Sequence, residues 1–152
     1  MSNQKGRPKG GLASEDSRNG SAAAYPAPKG TGGQHFTIQG RLMGLNEYTA
    51  ANRRNRHTGN RAKRENQDIV QWAIKAARLR PVKRPVRIWC LWLEKDKRRD
   101  PDNVAFAIKM ILDALVEEKI LQGDGWAHVV GIEHWFEVDK RNPRIVVEVV
   151  EV

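Results

Sequence analysis

Apolar and polar residues alternate over residues 35–40 (His-Phe-Thr-Ile-Gln-Gly), the period-two pattern of a short strand with one buried face. Residues 46–49 (Asn-Glu-Tyr-Thr) then offer a helix start, with Asn46 as its cap, running into a basic loop over residues 52–59. Within residues 61–80 the apolar positions Ile69, Val70, Trp72, Ala73, Ala76, Ala77 and Leu79 recur at helical spacing, so the pattern predicts an amphipathic helix ended by Pro81. Residues 86–94 (Val-Arg-Ile-Trp-Cys-Leu-Trp-Leu-Glu) are apolar on both faces and rich in β-formers, as a central strand should be. Asp100, Pro101 and Asp102 make a strong start for a helix reaching Glu118, with Asp100 as cap. Residues 126–138 and 144–152 read as two strands joined by the turn over 139–143 and forming an antiparallel pair. The order β, α, α, β, α, β, β predicts a single small α+β domain over residues 35–152, one mixed or antiparallel sheet with helices packed against it. Residues 1–34, rich in Gly, Ser, Ala, Pro and Asn, have too few large apolar side chains to offset their ordering entropy and are expected to be a disordered basic tail.

The average composition, 39% hydrophobic and 30% charged, is ordinary for a globular domain. No apolar run approaches the ~18 residues of a membrane span, and the first fifteen residues lack the apolar core of a secretory signal. The lone Cys90 excludes an internal disulfide or a thiolate zinc site and suits a reducing cytoplasm. Charge changes the picture. The net +9 points to a polyanionic partner. It is unevenly placed: residues 53–99 hold sixteen Lys and Arg against four acids, whereas residues 100–152 hold eleven acids against five Lys and Arg. A protein that merely coats nucleic acid has little use for that acidic half, because each carboxylate near the phosphates opposes binding.

On a helix starting at Asp100, Lys109 and Asp113 return to within about 20° of Asp102, while Val104, Ile108, Ile111, Leu112 and Leu115 form the opposite, core face. Taken alone, that polar face is a solvated surface with a Lys109–Asp113 pair. Asp100 and Asp102 make it more. Two carboxylates about 5 Å apart repel by roughly 3 kcal/mol at an effective dielectric of 20, and a divalent cation would compensate. Asp124, between Gly123 and Gly125, is a third accessible acid in a turn that glycine lets approach another element closely. Oxygen ligands without His or Cys suit Mg²⁺, with Mn²⁺ as substitute. Lys109 would then face a scissile phosphate as a cation. Arg53, Arg54, Arg56, Arg61, Lys63, Arg98 and Arg99 are the candidate phosphate contacts. Trp126, beside Asp124, is the tryptophan best placed for an exposed role.

Asp100-Pro-Asp-Asn, Lys109 four residues before Asp113-Ala-Leu, and Asp124 after Ile120-Leu121 resemble the RusA family of Holliday-junction resolvases. Phe36-Thr-Ile-Gln-Gly, Leu45-Asn-Glu-Tyr and Lys63-Arg-Glu are similar to the amino-terminal half of its phage-borne branch. The likeness spans about residues 35–150. It implies a Mg²⁺-dependent, homodimeric endonuclease that resolves branched DNA by paired nicks, with metal-binding acids at Asp100, Asp102 and Asp124, a catalytic lysine at Lys109 and Asp113 in support. The chain departs from the family in having six residues between Asp102 and Lys109, where the bacterial branch has three, and Gly123 where the family often has a second acid. The competing reading is a non-catalytic nucleic-acid-binding module in which the acids are caps and surface charges.

Overall fold

A computed structural model describes residues 33–152. Of the expected tail, residues 1–32 lie outside the described residues. Gln34 already belongs to the first strand, β1 (Gln34–Gln39), and its amide clasps Arg80 by donating to the Arg80 carbonyl (2.8 Å) and accepting from the Arg80 N–H (2.6 Å). The predicted alternation holds: Phe36 and Ile38 are buried between exposed His35, Thr37 and Gln39.

Two helices follow, α1 (Leu45–Arg54) and α2 (Arg56–Ala77). The residues expected to form a basic loop are therefore helical, apart from a break at Asn55, whose Oδ1 accepts the Thr58 N–H (2.7 Å) and caps α2. Nor is Asn46 the cap of α1. That position is Gly44, and the Asn46 N–H is taken by Oδ1 of Asn103, 2.9 Å away in the third helix. A side chain at Gly44 would collide with this same Asn103, which explains the glycine. α2 stops three residues before Pro81's predecessor, with Arg78 in the left-handed region (φ 56°).

β2 spans Val86–Glu94 as predicted and is buried on both faces. Ile88, Cys90 and Trp92 join the main core with Val70 and Ile74 of α2, while Trp89, Leu91 and Leu93 form a second cluster on the opposite face. Burial pushes the Cys90 thiol up to about 12, so it packs rather than reacts. The helix expected over residues 100–118 is two helices, α3 (Pro101–Ala105) and α4 (Ile108–Glu117), separated by a tightened turn at Phe106 and Ala107. Phe106 stacks on Tyr48 of α1 (5.2 Å), and Asn103 holds α1's start, so α3 is anchored to α1. α4 instead buries Ile111, Ala114 and Leu115 in the main core.

β3 (Val129–Val138) and β4 (Arg144–Glu151) close the chain. They run in opposite directions but do not pair. The four-stranded mixed sheet has the order β1-β4-β2-β3, with β2 parallel to β3 and antiparallel to β4. A strand apolar on both faces gains most from neighbours on both edges, and β2 takes them. Two strand spacings are about 10 Å, within the roughly 17 Å reach of five residues. The turn is fixed by Asp139, whose N–H donates to the Glu94 carbonyl (2.7 Å) and whose carboxylate accepts from Arg144 (2.8 Å).

One core contact titrates. Nε1 of Trp92 donates to Nδ1 of His134 (3.0 Å), and burial pushes His134 below its ordinary value of 6.5. The imidazole is thus neutral at pH 7. A depressed histidine contributes stability above pH 6.5 that is lost as pH falls through the folded value. The urea midpoint should drop between pH 7 and pH 5, and His134→Gln should flatten that dependence.

Candidate active site

The acidic start of α3 follows directly from β2 through the loop of residues 95–99. Pro101 occupies the first helical position, as its fixed φ favours. Asp100 sits at the cap position in extended conformation, yet its side chain makes no capping bond. Asp100 and Asp102 are both exposed, and among the described residues neither carboxylate has a hydrogen bond or ion pair. The explanation that would make Asp100 an ordinary cap therefore fails. Asp100 lines a cleft of about 300 Å³ between this helix start and the end of β3, where Asp96 and Glu137 are further acids, Lys97 and the Glu94-paired Arg99 bring positive charge, and Val104 and Phe136 form an apolar wall. Glu94 and Glu137 are site residues that sequence reasoning passed over; their signal is position, each near the C-terminal end of an apolar strand.

A second cluster forms on α4. Nζ of Lys109 lies 3.0 Å from Oδ1 of Asp113 and 3.6 Å from Oδ2 of Asp124, while Lys63 of α2 reaches Oδ2 of Asp113 (3.7 Å). The hydrogen bond to Asp113 raises the Lys109 pKa; desolvation opposes it, and the Asp113 and Asp124 charges add to the rise. Lys109 is accordingly a cation at neutral pH, fit to balance phosphate charge and unfit as a base. The turn carrying Asp124 needs one of its two glycines. A Cβ at Gly123 would press on His128 (2.8 Å), whereas Gly125 faces open space. Trp126, next along, is 97% exposed.

The structure thus gathers Lys63, Lys109, Asp113 and Asp124, and places Asp100 and Asp102 together at the head of α3. It does not gather all three expected metal ligands: among the described residues no three His, Cys, Asp or Glu side chains form a metal-holding group. Asp124 is turned toward Lys109. The break at Phe106 and Ala107 also removes the continuous helix on which Asp102 and Lys109 were expected to share a face. The donor chemistry still fits a hard cation, because Mg²⁺ is commonly held by one or two carboxylates with water and phosphate oxygens completing its shell.

The candidate phosphate contacts divide. Arg53 and Arg54 end α1, Arg56 and Arg61 begin α2, and all four are exposed. α2 runs alongside α4 in the same sense, Lys63 meeting Asp113 and Gln67 meeting Glu117, so the basic start of α2 leads toward the Lys109 end of α4. Arg98 is exposed and 3.7 Å from Asp96. Arg99 is different. Its guanidinium is bound bidentately by Glu94 (2.9 and 3.0 Å), donates to the Leu42 carbonyl (3.0 Å) and meets Glu47 (3.2 Å), so its donors are spent inside the protein. Of the five tryptophans, Trp89 and Trp92 are buried and Trp135 is half-buried. Trp72, one of the apolar positions that recur at helical spacing in α2, is 75% exposed beside Lys75. No family model matches the chain, and a search of curated proteins finds no match. Among the described residues no helix is long and apolar enough to cross a membrane.

Proposed function

We propose that the protein is a Mg²⁺-dependent, structure-selective DNA endonuclease that resolves four-way junctions by paired nicks, acting as a homodimer in the cytoplasm of a bacterial cell. The observation that carries the reading is the pair Asp100 and Asp102 at the head of α3, unpartnered among the described residues. Two exposed carboxylates two residues apart, with neither a cap bond nor a cation among the described residues, favour a ligand that supplies positive charge. The RusA-like spacing of Lys109, Asp113 and Asp124 supports the same reading.

Asp100 and Asp102 would hold the metal, with Asp124 available on release from Lys109. Mg²⁺ held there would supply an activated water and neutralise charge developing on the phosphodiester. The rest falls to the chain's own residues. Lys109, kept protonated by Asp113, offers its ammonium to a phosphate oxygen. Arg53, Arg54, Arg56, Arg61 and Lys63 grip flanking phosphates. Trp126 offers an exposed ring for an unstacked base where the helices part.

Incubating the protein with a synthetic four-way junction and a linear duplex, each with Mg²⁺ or EDTA, tests this. Symmetric nicks in the junction alone, dependent on Mg²⁺, are expected. The Lys109–Asp124 contact favours a second reading, in which these acids pair with base and the protein only binds nucleic acid. That reading expects no cleavage in Mg²⁺ or Mn²⁺. It expects affinity to fall by ~10³-fold or more between 50 and 200 mM salt if 6 to 10 phosphates are contacted.

A further inference from the structure

β3 is an edge strand, hydrogen-bonded on one side only. Past a bulge at its start, its helix-side row is Ile132, His134, Phe136 and Val138, opposite Ile88, Cys90, Trp92 and Glu94 of β2, and the three large apolar members are 37–44% exposed. An exposed apolar edge strand invites pairing with another chain. Backbone direction sharpens the point. The Asp139 N–H donates inward to Glu94 of β2, and β-strand groups alternate sides, so the N–H and C=O groups of Ile132, His134 and Phe136 point outward, as do those of Val138, whose N–H donates to the Glu137 carboxylate (3.0 Å). The outward backbone groups and the exposed apolar side chains therefore belong to the same residues.

Within that row the large apolar Ile132 and Phe136 flank His134 on either side. We propose that β3 pairs antiparallel with β3 of a second copy of this chain, on a two-fold axis through His134, making one continuous eight-stranded sheet. Ile132 then faces the partner's Phe136 on each side of the axis, short of the bulge that begins the strand. The other face selects this register. Centred on His134, Glu133 lies opposite the partner's Trp135 and Glu137 opposite the partner's Gly131. Moving the centre to Glu133 opposes the two Glu133 carboxylates, and moving it to Trp135 opposes Glu133 to the partner's Glu137. Like charges directly opposite are destabilising. Three hydrogen-bonded residue pairs, at 132, 134 and 136, give about six backbone bonds across the axis.

The proposal deepens the reading above, whose paired nicks need two copies, but it stands on the strand itself. The axis is perpendicular to the sheet, so both helix layers, and both Asp100 clefts, lie on one side of it. Val138 lines its own cleft. It lies eight residues from its counterpart along the pair, or about 27 Å at the rise of a strand.

Light scattering on the full chain in 1 M salt should give a dimer, since apolar and backbone contacts resist screening. Ile132→Lys acts twice in a two-fold interface, so the dimer dissociation constant should rise about 100-fold if each copy costs tenfold. Trp72→Lys, at a still more exposed apolar side chain on α2, should leave the dimer intact. Because Cys90 is buried, a nitroxide on Val138→Cys labels one site per chain, and pulsed electron paramagnetic resonance should find a separation near 27 Å. A monomer, a dimer formed only with DNA, or a dimer indifferent to Ile132→Lys and lacking that separation each overturns the proposal. A monomer that nicks junctions sinks this interface alone. A β3-paired dimer that never nicks sinks the nuclease reading alone.

Discussion

Asp102→Asn removes Mg²⁺-dependent nicking of a four-way junction, a loss on the order of 10²–10³-fold or more, and leaves junction binding within about twofold. Asparagine keeps the size of the side chain and deletes the charge that would attract a hard cation. Affinity should survive because the cations proposed to grip phosphate lie elsewhere, on α1, α2 and the Arg98 loop. Stability supplies an independent reading. Without metal, Asp100 and Asp102 repel each other unrelieved, and both face solvent, so the substitution should raise stability by no more than about 1 kcal/mol. Loss of nicking with unchanged or higher stability identifies a functional pair. Retained nicking places the metal elsewhere. Lys109→Met separates the two clusters: it should lower nicking without the gain in stability, because it leaves Asp113 and Asp124 facing each other without their shared cation.

The strand β2 was legible to the residue because nine consecutive positions suit a doubly buried strand and nothing else competes for them. The core face of α4 was legible for a similar reason: Ile111, Leu112 and Leu115 are buried at the predicted phase. Pairing was not. A five-residue turn between two strands carries the local signal of a hairpin, whereas the placement of β4 and β3 on either side of β2 is decided by what β2 needs, which lies some fifty residues away. The helix break at Phe106 and Ala107 had no glycine or proline to announce it. It arises because α3 answers to Tyr48 and Asn46 of α1 while α4 answers to the core. At the site, Asp100 and Asp102 were legible as a pair, and the Lys109–Asp113 contact followed from helical spacing. What remained hidden was which acids face which cations. Asp100 and Arg99 are neighbours in sequence, yet Arg99 turns inward to Glu94 and leaves Asp100 without a partner among the described residues.

That inward turn yields the largest stability effect expected in this chain. The side chains of Arg99 and Glu94 are 11% and 12% exposed, and their bidentate pair joins the end of β2 to the loop that presents Asp100. Removing one member of a buried pair strands the other charge, which typically costs about 3–5 kcal/mol. Arg99→Met should therefore lower the unfolding free energy by that amount, measured by urea denaturation, while the junction affinity of the folded fraction changes little. Arg98→Met, one residue earlier and exposed, should do the reverse: weaken binding in a salt-dependent way and leave stability within about 0.5 kcal/mol. Replacing both partners, as Arg99→Met with Glu94→Leu, should recover most of the loss, because two apolar side chains strand no charge. If the double variant is as unstable as the single, the destabilisation comes from the bonds to the Leu42 carbonyl and Glu47 instead. Arg99 would then be holding the start of α1, and the geometry of Asp100 would depend on α1 rather than on β2.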